Sequence, residues 1–149
     1  TIVVVFFADS FLTPFTAFLT TLGVVIAAWG GVMLADIALR RKDYDEPSLF
    51  TPSGRYGSVN WGAVASLIVG SLVGWGLVVN ASASWLSWQG YLLGPLGGRE
   101  GDWAGANIGI LLAMVVGFVG YWATSAGRVR AQEKLPSRTY AQGADEDER

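Results

Sequence analysis

Hydrophobic residues fill this chain in long blocks separated by short polar runs. No Asp, Glu, Lys or Arg occurs in residues 10–35, 56–98 or 103–127. Crossing about 30 Å of hydrocarbon takes about 20 mainly apolar residues, because a helix rises about 1.5 Å per residue. The pattern therefore predicts an all-α membrane protein with spanning helices over residues 12–39, 61–79 and 108–125. In the first, Phe15, Phe18, Leu19, Leu22, Val25, Ile26 and Trp29 make an apolar ridge at helical spacing. Pro14 fits a first turn, where its missing N–H costs nothing. Gly30-Gly31 weakens the middle, which allows a close backbone approach or a bend. In the second, Gly62, Ser66, Gly70 and Gly74 recur every four residues. Such a flat stripe promotes helix association in lipid, where little hydrophobic force draws helices together.

The intervening segments read differently. Residues 1–8 are apolar but too short to span, and they lack the basic start and small-residue end of a signal peptide. They read as the end of a truncated membrane helix. Residues 40–59 form a polar loop broken by Pro47 and Pro52. In residues 80–107, Trp85, Trp88 and Tyr91 recur at i, i+3, i+6 before Gly94-Pro95-Leu96-Gly97-Gly98. A short helix over 83–93 at headgroup depth fits that pattern better than a re-entrant hairpin. The tail, 126–149, reads as solvated and disordered beyond Pro136.

Basic residues set the orientation. The 40–59 loop carries Arg40, Arg41, Lys42 and Arg55, and the tail carries Arg128, Arg130, Lys134 and Arg138; between the last two spans lies only Arg99. The loop ending at Val59 and the C-terminus are thus expected in the cytoplasm of a multi-pass cell-membrane protein, with residues 80–107 outside.

Composition then narrows the chemistry. Charged residues make up 15% of the chain, against about 25% in an ordinary soluble domain. There is no Cys and no His, which removes disulfides, thiolate zinc sites and imidazole bases. The net charge of -2 owes much to the terminal Asp145-Glu146-Asp147-Glu148-Arg149, and no basic aromatic patch points to a nucleic acid. Asp36 is the one charge set within a span, where carboxylates often serve ion or proton pathways. Its spacing from Arg40 permits an i,i+4 ion pair, and that favours a structural anchor over a coupling-ion ligand. Asp9 reads as an exposed boundary residue. Asp43, Asp45 and Glu46 lack the turn glycines and closing ligand of a cation site, so they read as a solvated loop face. Asn80-Ala81-Ser82 matches a glycosylation acceptor only weakly. These residues disfavour an enzyme and leave two readings, a transporter and a small three-span scaffold or accessory subunit.

A resemblance separates them. Gly30-Gly31-Val32-Met33-Leu34-Ala35-Asp36, then Arg40-Arg41-Lys42-Asp43-Tyr44-Asp45, then Val59-Asn60-Trp61-Gly62-Ala63 resembles the nucleobase:cation symporter family. That family includes cytosine permease and transporters for uracil, allantoin and hydantoins. Ile37 departs from the pattern, where the family commonly has Tyr. The resemblance is specific over residues 30–79. It implies the tenth, eleventh and twelfth helices of a leucine-transporter-like inverted-repeat fold, with Thr1 falling at the end of the ninth.

It also implies a secondary permease that imports a nucleobase-like molecule with Na+ or H+ as coupling cation and no other cofactor. Substrate-binding residues would then lie upstream of Thr1. Gly30, Gly31, Asp36, Arg40 and Arg41 are the gate and motif candidates, with Gly30-Gly31 the expected flexing point. On this reading the 149-residue chain alone transports nothing. Nucleobase flux across membranes containing only this chain is expected to match empty membranes, and measurable uptake overturns the reading.

Overall fold

The computed structural model describes residues 2–42, 44, 59–80 and 83–134, with side chains from residue 11 onward. Thr1, Asp43, most of the 40–59 loop including Asp45 and Glu46, and the tail beyond Lys134 lie outside the described residues, as does the Asp9 side chain. Among the described residues the fold is all-helical, with no strand. It consists of α1 (Ile2–Leu39), α2 (Trp61–Gly76) and α3 (Ile108–Glu133). Helix α3 lies along both of the others, and α1 and α2 touch less extensively. Two helical stretches, Phe11–Leu39 and Ile108–Glu133, are long and apolar enough to cross a membrane. Helix α2 is as apolar but has 16 residues, about 24 Å at 1.5 Å per residue.

The face that meets the bundle is not the bulky ridge. Phe15, Phe18, Leu19, Leu22, Ile26 and Trp29 are all exposed, as the outer surface of a membrane helix can be. The inner face of α1 carries Ala17, Val24, Ala28, Gly31 and Ala35, and that of α3 carries Gly109, Ala113, Gly117, Tyr121 and Ser125. Small residues recurring at helical period bring the two backbones together. A Cβ added to Gly31 would lie 2.0 Å from the Met114 carbonyl oxygen, and one on Gly117 would lie 2.4 Å from that of Ala28. The Gly62–Ser66–Gly70–Gly74 stripe faces α3 in the same way: a Cβ on Gly74 would meet Ala113 and Val24, and one on Gly62 would meet Thr124 and Ser125. Val24, Ala28, Val78 and Ala113 form the fully buried centre.

Element ends shift where tertiary bonds replace helical ones. Residues 1–8 were expected to form a separate stub, yet Ile2–Leu39 is one helix and Pro14 sits inside it. Helix α2 stops at Gly76 rather than residue 79. The chain returns there, and the last carbonyls of α2 accept from Gly90 N–H at 2.9 Å (Trp75) and Leu92 N–H at 2.8 Å (Gly76). Helix α3 continues past residue 125 to Glu133, because Val129 and Gln132 are buried against the end of α1.

The short helix expected over 83–93 is a 3-10 turn at Ser84–Leu86 followed by turns, with Gly90 at φ +79°. Leu86, Gln89 and Leu93 point inward while Trp85, Trp88 and Tyr91 remain exposed. Three side chains tie this end to α1. Trp75 Nε1 donates to the Thr21 carbonyl at 3.0 Å, Asn80 Nδ2 to that of Ala17 at 2.8 Å, and Gln89 Nε2 to the Thr21 hydroxyl at 3.0 Å. The Asn80 amide is thus a structural tie, which argues against its carrying a glycan.

The two adjacent glycines differ sharply. Nothing lies within 4 Å of a Cβ at Gly30, whereas one at Gly31 collides with the α3 backbone. Gly31→Ala should destabilise the chain by about 1–3 kcal/mol through overpacking. Gly30→Ala should be neutral or stabilising by up to about 1 kcal/mol through helix propensity. Thermal unfolding of both variants in detergent checks this, and equal effects overturn the seam.

Candidate functional site

Asp36 lies in the last turn of α1, beside the small-residue face, and Arg40 follows one turn later. Arg40 Nε donates to the Asp36 carboxylate at 2.8 Å, with side chains 13% and 16% exposed respectively. Two phenols, Tyr44 and Tyr121, also donate to it. The carboxylate therefore joins α1, the residues just after it and the middle of α3. The Arg40 guanidinium lies over the Tyr44 ring, 4.5 Å from its centroid, and its NH2 group reaches Gln132 Oε1 at 3.5 Å.

Helix α2 enters through Asn60. Its Oδ1 accepts the Ala63 N–H at 3.4 Å and so caps the helix. Its Nδ2 donates to Tyr121 and Ser125 oxygens, each at 3.4 Å. The walls of the resulting cleft, about 390 Å³, include Trp29, Val32, Met33, Ala63 and Val129, with Arg128 among its polar residues. Burial and donation to Asp36 together hold the Tyr44 phenol above its ordinary pKa. It stays protonated, and so stays a donor, at neutral pH.

A carboxylate this enclosed is costly by itself, since an ion taken from water loses several kcal/mol of hydration. Three donors, one of them cationic, offset the loss. The pair expected from the i,i+4 spacing is present, but it is more enclosed than an exposed surface pair. Breaking it leaves a charge without its partner, at a cost between the about 0–1 kcal/mol of an exposed pair and the about 3–5 kcal/mol of a fully buried one.

The structure brings together four residues from separate parts of the sequence motif, namely Asp36, Arg40, Tyr44 and Asn60. The other three candidates lie elsewhere. Gly31 is in the α1–α3 seam and Gly30 points into open space. The Arg41 side chain is exposed, while its backbone N–H bonds the Glu133 carboxylate. Sequence reasoning missed Tyr121, Ser125 and Gln132. The signal was present, because Tyr121 and Ser125 stand one turn apart, on the same face as Gly109, Ala113 and Gly117.

The model of the family described as permease for cytosine/purines, uracil, thiamine, allantoin matches residues 1–94. No curated protein and no solved structure matches the chain significantly. The matched region takes in α1, α2 and the Asp36–Arg40–Tyr44–Asn60 constellation, well over half of the 149 residues. The chain belongs to this family of membrane permeases, which are transporters and not enzymes.

Proposed function

We propose that these helices are the C-terminal part of a secondary active transporter that imports a nucleobase or a related ring, such as cytosine, a purine, allantoin or hydantoin, together with Na+ or H+. The family match supports the substrate class, and the leucine-transporter-like inverted repeat follows from the resemblance. The observation that carries the site reading is the convergence of Asp36, Arg40, Tyr44 and Asn60 on one cleft. The distribution of Arg and Lys supports a cytoplasmic position for that end of the bundle.

Within this reading Asp36 anchors the gate helix and does not bind the coupling ion. Its carboxylate already accepts three donors, and a metal cation would have to displace the positively charged Arg40. The anchor fixes where the end of α1 sits against α2 and α3. Bending of α1 at Gly30-Gly31 requires the seam with Met114 to open. Bending costs less near Pro14, which has no N–H to donate to the Ser10 carbonyl and lies beyond the ties at Ala17 and Thr21. Residues 17–39 of α1 are held to the rest of the bundle by the ties at Ala17 and Thr21 and by the seam with α3.

Asp36→Asn in the complete permease keeps the size of the side chain, removes the charge and sets an amide donor against three donors. It should lower surface abundance or turnover several-fold while leaving the dependence of uptake on Na+ and pH intact. Tyr121→Phe should do the same more weakly. Uptake measured across a Na+ series and a pH series decides the matter. Lost ion dependence at normal surface expression makes Asp36 an ion ligand and overturns the anchor.

A further inference from the structure

A second cleft, about 520 Å³, lies between the ends of α1 and α3 and is lined by Ala38, Leu39, Arg41, Lys42, Trp122, Arg130, Glu133 and Lys134. It holds four cationic side chains and one carboxylate, so 4 − 1 leaves +3. The carboxylate is engaged elsewhere: Glu133 accepts the backbone N–H groups of Arg41 and Lys42, and its own carbonyl accepts from Lys42 Nζ at 3.0 Å. Among the described residues no carboxylate pairs with the side chains of Arg41, Arg130 or Lys134, all of which are exposed. The two helix C-termini contribute about half a negative charge each. That offsets about one of the three positive charges and leaves roughly two.

The base of this cleft is apolar. Trp122 is 40% exposed, and indole rings favour headgroup depth. One turn further into the bundle, on the same helix faces, Leu34 and Val119 are exposed at 52% and 58%. A basic mouth with exposed apolar side chains one turn away on each helix suits a molecule with an anionic head and a hydrocarbon tail. A free phosphate ion would use the cations and leave those apolar side chains idle.

We infer that this cleft binds the phosphate headgroup of an anionic phospholipid, with one acyl chain along Leu34 and Val119. Arg41, Arg130 and Lys134 contact the phosphate, and Trp122 marks the boundary between head and tail. The bound lipid fixes the depth of the α1 and α3 ends in the bilayer. The inference rests on the orientation proposed above only for which leaflet supplies the lipid, and a test in micelles is blind to orientation.

The test uses the 149-residue chain in detergent micelles, titrated with phosphatidylglycerol or phosphatidylcholine carrying brominated acyl chains. The reading is the Trp122 fluorescence, taken as the difference between the chain and its Trp122→Phe variant. Brominated phosphatidylglycerol should quench at roughly tenfold lower concentration than phosphatidylcholine, consistent with several basic side chains each contributing. The double variant Arg41→Gln with Arg130→Gln should lose this preference, and Arg41→Lys with Arg130→Lys should keep it. Far-UV circular dichroism confirms that each variant remains helical, and the Lys variant separates lost charge from lost fold. Inorganic phosphate should displace no more lipid than chloride at matched ionic strength. Equal quenching by the two lipids, a preference that survives in the Gln variant, or specific displacement by phosphate each overturns the inference.

Discussion

The bundle depends on one close contact, the approach of the α1 backbone to the α3 backbone at Gly31, Ala28, Met114 and Gly117. In lipid, apolar side chains gain little by leaving hydrocarbon for a protein neighbour, so association rests on van der Waals fit and on polar groups that need partners. A Gly31 Cβ 2.0 Å from the Met114 oxygen shows how little space is left. The same surface of α3 receives the small-residue stripe of α2, so a single helix organises both neighbours. The large side chains are displaced outward as a result, which is why the aromatic ridge of α1 faces away from the bundle.

Close packing in the middle leaves the ends to polar chemistry. At one end Thr21 gathers the Trp75 and Gln89 side chains. At the other, Asp36 gathers Arg40, Tyr44 and Tyr121. Each set holds α1 to segments far away in sequence, and each is affordable in a low-dielectric setting only because its members satisfy one another. The family constellation lies at the second set. Its residues are spread over a helix end, a loop and a helix start, and the seam decides that they meet.

Much of this was legible in the residues. Charge-free blocks mark the helices, the i,i+4 spacing of Asp36 and Arg40 marks their ion pair, and the four-residue recurrence in α2 marks its packing face. The motif also pointed to the permease family, which the match over residues 1–94 bears out. Less legible were the element ends. Helix α3 was expected to stop at 125, but Val129 and Gln132 find burial against α1, and the Glu133 carboxylate takes two backbone N–H groups after Leu39. Propensity within a segment carries no record of such distant partners.

By itself, then, the sequence determined the class of the protein, the number of long apolar segments and the family, because length, charge and local spacing are properties of a single segment. The tertiary structure alone decided which face of α1 turns inward, that Gly31 rather than Gly30 lies in the seam, and that Tyr121 completes the Asp36 hub. Those outcomes depend on the relative rotation and depth of two helices some 85 residues apart in the chain. That relation is fixed by which backbones can approach closely, a matter of shape that no single segment contains.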